Sequence, residues 1–251
     1  MPEVNVNTDL AAEWDFLFGA GIWMVLLTVL YFAYYTTIFG PAFRTNPAMI
    51  YLIALSFIFA SSGISIPQMF SLINPKTLLK ELLVGGAIGL VIMFFIVYGT
   101  NISLSVISPF SALTLSSTPS SIQPYENISI VAPVILIAVM EEAIVFVSAF
   151  FFTSGLIKKF KMGLKDAFLV ALVIASIFFG LTHVIAYQQE GLLSMSAILF
   201  AMFFSLIAIR LIPLELFRSK TYPIFSAMGI HAAFDFAVLA LLPLTIIPIH
   251  P

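Results

Sequence analysis

Five ionisable residues interrupt apolar stretches of this chain. Glu141 and Glu142 lie inside one long apolar run, His183 lies late in the next, and His231 and Asp235 lie inside the last. A charge at the centre of a bilayer costs about 2.5 to 3.5 kcal/mol on insertion scales, so such residues face a polar cavity and one another. His231 and Asp235 are four positions apart and share one helix face, as do Phe179 and His183. Glu141 and Glu142 are about 100° apart around a helix, so both reach one cavity while pointing differently. The set holds what activation of a water molecule needs: a carboxylate base, an imidazole to share the proton, and donors for an oxyanion.

A structural reading stands beside the catalytic one. A single intramembrane Glu or His is often only an interhelical hydrogen bond. Several on three helices, with His231 and Asp235 on one face, favour a shared pocket. Asp235 by itself suits an orienting role on His231, and Phe179 suits core packing or lipid contact. His250, beside the C-terminus, has no assigned role. Zinc takes about four nitrogen and oxygen ligands, which makes Glu141, His183, His231 and Asp235 the candidate metal set. The usual hydrolytic pattern H-E-x-x-H is absent. A metal-bound water and a water held by side chains alone, with no cofactor, both fit the sequence.

These residues need elements to carry them, and composition says which. The chain has 251 residues, 61% hydrophobic and 9% charged, against about 25% charged in a soluble domain. Mean hydropathy is +1.14, and 26 residues are Phe. A soluble enzyme, a disordered chain and a nucleic-acid binder are excluded. Ten Lys and Arg against twelve Asp and Glu leave a net charge of -2, so no basic field attracts phosphate. The absence of cysteine excludes disulfides, thiolate metal sites and a Cys nucleophile. The expected fold is all-α: a polytopic membrane helical bundle with a polar intramembrane cavity, in a single membrane domain over 1–251. At roughly 20 residues per span plus connections, the length allows about seven to eight transmembrane helices.

The apolar runs cover 16–40, 48–66, 82–99, 128–157, 167–187, 192–211 and 222–248. Pro133 reads as an early-turn residue that starts the regular part of the fourth helix. Residues 101–127, rich in Ser and broken by Pro109, Pro119 and Pro124, read as a surface or partly re-entrant segment, the eighth span if it crosses. The first fifteen residues are polar and acidic and lack the features of a secretory signal. With the turns around Lys76, Lys158 and Arg218 on the cytoplasmic side, nine of the ten Lys and Arg lie inside. This predicts an integral protein of the cell membrane with a cytoplasmic N-terminus.

Glu141-Glu142, then Phe179-x-x-x-His183, then His231-x-x-x-Asp235, in successive apolar runs, resemble the motif set of the CPBP family of intramembrane proteases. That family is also called the CAAX-protease and bacteriocin-processing, or Abi, family. The resemblance covers about residues 128–240, which it marks as the catalytic core. It implies an intramembrane endopeptidase acting on a membrane-associated or membrane-embedded protein. By the resemblance, Glu141 and His183 activate water, Glu142 supports Glu141, and His231 with the residue at 235 stabilises the oxyanion. The first family motif is Glu-Glu-x-x-x-Arg, and Phe146 stands here in the place of the Arg. The last is His-x-x-x-Asn, and Asp235 stands in the place of the Asn. Two other classes remain open: a non-catalytic membrane scaffold or subunit of the same fold, and a proton-coupled carrier. Carriers are commonly built from internal repeats, and none is visible here.

Overall fold

The computed structural model describes residues 6–35, 53, 56, 75–100, 128–189, 204–212 and 224–245. Helix α1 spans Val6–Tyr35. A single 3₁₀ turn, Pro75–Thr77, leads into α2, Leu78–Thr100. Helices α3 (Ile128–Phe160) and α4 (Leu164–Gln189) follow. A π-helical segment, Phe204–Leu211, precedes α5, Ile224–Thr245. Among the described residues the chain is helical except for the turn 161–163, and no strand occurs. A spanning segment must satisfy its backbone polar groups internally, and an apolar sequence does so as helix. Four helices are long and apolar enough to cross a membrane, over Ala11–Val29, Leu78–Phe95, Ile135–Phe160 and Leu164–Thr182; α5 contributes the shorter apolar stretch Ile224–Ala237. Outward-facing Leu79, Leu83, Phe94, Phe95 and Leu164 are exposed, as lipid-facing side chains must be. The apolar run 48–66, apart from Ile53 and Ser56, and the proposed re-entrant segment 101–127 lie outside the described residues.

Two boundaries differ from the sequence reading. Helix α1 starts at Val6, so Asp9, Glu13 and Asp15 ride on it rather than preceding it. Carboxylates near a helix N-terminus are favoured by its dipole. Two of them also find partners: Lys158 Nζ lies 2.6 Å from Asp15 Oδ2 and Lys159 Nζ 3.6 Å from Glu13 Oε1. Helix α3 starts at Ile128, ahead of Pro133.

Helix α3 is the axis of the bundle, and α1 runs antiparallel to it. Phe152 lies over Gly19, where an added Cβ would sit 2.8 Å from the ring, and Phe16 lies over Gly155. One step further along, Trp23 Nε1 donates to Ser148 Oγ at 2.6 Å. Helix α3 ends where Lys161 adopts φ 54° and donates its N–H to the Ile157 carbonyl at 3.1 Å. That left-handed residue stops the helix and turns the chain back into α4.

Helices α2 and α5 run parallel in backbone contact. A methyl group at Gly85 or Gly89 would collide with the carbonyl oxygens of Ser226 and Ile230, and one at Gly229 would sit 2.6 Å from the Leu82 carbonyl oxygen. Small residues spaced four apart allow this approach in lipid, where van der Waals packing rather than water exclusion joins helices.

Candidate functional site

Glu141 and Glu142 lie in the middle of α3, its most enclosed stretch, and both are buried. Residues Ile137, Ile144 and Val145 fill the surrounding core. Helix α5, seated on α2 by its glycines, carries His231 and Asp235 to the same level. The π-helical segment carries Arg210, which is 0% exposed. Helix α4 contributes Phe179 and Thr182.

The Glu142 carboxylate is the hub. Its Oε1 accepts a hydrogen bond from Arg210 Nη2 at 3.0 Å and lies 2.9 Å from His231 Nδ1. An oxygen that already accepts from a guanidinium is an acceptor for the ring as well, so Nδ1 carries the proton in this contact. The other ring nitrogen, Nε2, faces Glu141 Oε2 at 3.5 Å and Asp235 Oδ2 at 3.6 Å. Phe179 meets the His231 ring edge-on, with centroids 5.7 Å apart and planes at 81°. The Arg210 guanidinium lies over the Phe179 face, 5.2 Å from the ring centroid, a cation–π contact. Glu142 Oε2 has no hydrogen-bond partner among the described residues.

The structure therefore brings Glu141, Glu142, His231 and Asp235 into one buried polar cluster. His183 lies in α4, one turn beyond Phe179, and its side chain lies outside the described residues. Phe179 belongs to the cluster wall and does not face lipid. The orienting contact on His231, expected from Asp235, comes at shorter range from Glu142, because 3.6 Å exceeds a hydrogen bond.

Arg210 was absent from the sequence-based set. At the end of an apolar run and just before Pro213, it reads as a cytoplasmic anchor. The available signal was its setting, with Ile207, Ala208, Ile209, Leu211 and Ile212 around it. The Gly85-x-x-x-Gly89 spacing that seats α5 is equally visible in the sequence.

A narrow crevice opens beside Glu141, lined also by Trp23, Leu26, Ile144, Phe179 and Thr182. It is too narrow to seat a water molecule in this conformation. The surface it exposes is apolar, and the Thr182 hydroxyl donates to the Phe179 carbonyl at 2.6 Å. Among the described residues, no group of three or more His, Asp or Glu side chains is arranged to hold a metal ion. Comparison with family models, curated proteins and solved structures gives no match for this chain.

Proposed function

We propose that the chain is an intramembrane endopeptidase of the CPBP type, hydrolysing a peptide bond of a membrane-associated or membrane-embedded protein. The observation that carries this reading is the His231 imidazole held between two carboxylates, Glu142 at Nδ1 (2.9 Å) and Glu141 at Nε2 (3.5 Å), with the crevice adjoining Glu141. Glu141 takes a proton from a water molecule as that water adds to the scissile carbonyl carbon. The C–N bond then breaks as the proton passes to the leaving nitrogen. His231, tied at Nδ1, turns Nε2 towards the reacting centre, where in its protonated form it donates to the oxyanion. Protonated Asp235 is a second donor, and His183 is the second imidazole at the water. Substrate entry requires the crevice to widen between α1 and α4.

The bundle is a cell-membrane protein in this reading. Its Lys158–Lys165 turn and its N-terminus are cytoplasmic by the excess of basic residues there. Removing buried Arg210 from the inner count leaves eight of the ten basic residues inside, nine less one, so the orientation is unchanged.

The narrowness of the crevice and the mutual pairing of the charged groups favour a second reading, a non-catalytic membrane subunit. Quantitative N-terminal proteomics separates the two. A detergent-extracted membrane proteome is incubated with purified wild type or with Glu141→Gln. The amide keeps the shape but takes no proton, so new N-termini should fall by about 10²- to 10⁴-fold. No new N-termini above a protein-free control with either protein would establish the subunit reading, and equal yields above that control would remove Glu141 from the mechanism.

A further inference from the structure

Three carboxylates surround one imidazole, and among the described residues a basic side chain from outside α3 and α5, Arg210, reaches one of them, Glu142. We infer that Arg210 is a positioning residue for the reaction: it acts through Glu142 to fix which nitrogen of His231 faces Glu141. The inference rests on the hydrolase reading above.

The geometry supports it stepwise. Arg210 Nη2 and His231 Nδ1 converge on the same oxygen, Glu142 Oε1. Guanidinium stays charged in proteins, so its contact holds that carboxylate as an acceptor. An acceptor at Nδ1 keeps that nitrogen protonated and fixes the flip of the ring, which leaves Nε2, protonated in the active form, for Glu141 and the reacting atoms. The guanidinium lies over the Phe179 ring, which also abuts the imidazole. Within α3, an arginine one turn after Glu142 would reach the same carboxylate. That position is Phe146, buried in the core cluster. Arg210 thus delivers from the π-helical segment a cation that α3 lacks at that place. π-Helical geometry is uncommon and recurs at functional sites.

The test uses the full-length protein in lipid vesicles and a quenched peptide carrying the site that the wild type cleaves best in the membrane proteome. Arg210→Gln should lower kcat by about 10- to 100-fold, the usual range for a residue that orients a ligand or base, with KM little changed. In a Glu142→Gln background, Arg210→Gln should add no further loss in kcat, because Arg210 acts through that carboxylate. Phe146→Arg added to Arg210→Gln should recover turnover. On ¹⁵N-histidine protein, the His231 Nδ1–H should give a single hydrogen-bonded signal in wild type and a mixture of ring orientations in Arg210→Gln. Wild-type turnover in Arg210→Gln, losses that multiply across the two backgrounds, or an unchanged His231 signal would overturn the assignment while sparing the hydrolase reading. No cleavage by the wild type itself would overturn both. Should Arg210→Gln alone fail to fold, the comparison of the double variant with Glu142→Gln carries the same test.

Discussion

At the residue scale, the cluster joins two kinds of group. Glu142 and Arg210 form a fully buried pair, while Glu141 and Asp235 stand near Nε2 at distances longer than a hydrogen bond. The consequences of substitution differ accordingly. Glu142→Gln breaks the buried ion pair with Arg210, and breaking a buried pair typically costs about 3 to 5 kcal/mol. Thermal unfolding in detergent should show that loss. Asp235→Asn removes a carboxylate that makes no close hydrogen bond and supplies a permanent donor. Its expected outcome is retained or increased hydrolysis with the fold intact. Loss of activity together with loss of a stoichiometric transition metal from the purified protein would instead make Asp235 a ligand. His183→Gln should lower hydrolysis without a comparable fall in thermal stability, and full activity would remove His183 from the proposed mechanism.

At the scale of elements, the site depends on two helix pairs that reach close approach by different means. Helices α2 and α5 touch backbone to backbone, so a side chain at Gly89 would collide with the Ile230 backbone. Ile230 is the residue before His231. Gly89→Ala should therefore destabilise by about 1 to 3 kcal/mol, the usual cost of overpacking, and should also reduce turnover by shifting α5. An unchanged melting temperature would show that the two helices slide apart freely. Helices α1 and α3 interlock aromatic rings over glycines, and Trp23 adds a buried hydrogen bond to Ser148. Trp23→Phe removes that bond, and a fall of about 1 kcal/mol is expected. Trp23 also lines the crevice, so cleavage-site preference is the second measurement on that variant.

For the whole molecule, the salt bridges from Asp15 and Glu13 to Lys158 and Lys159 put the start of α1 on the same side of the membrane as the α3–α4 turn. The partners are partly solvated, and exposed pairs contribute only about 0 to 1 kcal/mol each, so they report placement more than stability. Because the chain has no cysteine, single cysteines introduced at Glu13 and at Lys165 can be labelled without background. A membrane-impermeant maleimide should reach both from one side. In intact cells both should react only after permeabilisation, as the positive-inside distribution requires. Labelling of the two positions from opposite sides would be incompatible with this bundle.

Composition and spacing determined a good deal unaided. Nearly two-thirds apolar residues leave a helical membrane protein as the outcome, since only helices or closed barrels satisfy the backbone in lipid and no strand pattern is present. The cost of an ionisable group in hydrocarbon singled out Glu141, Glu142, His183, His231 and Asp235, and the i,i+4 relation placed His231 and Asp235 on one face. Both inferences are local: they need only neighbouring residues and a solvent. Tertiary structure decided what pairs with what. Which carboxylate meets Nδ1 of His231 depends on the depth and rotation at which α5 docks on α3, and that docking follows from the glycine contacts of α5 with α2. The role of Arg210 depends on it still more. From the sequence a basic residue at the end of an apolar run belongs with the surface anchors, because charge is costly in lipid. In the folded chain the same cost is offset by Glu142, contributed by a helix 68 residues away in sequence. That pairing is a property of the assembled bundle, and no window along the chain contains it.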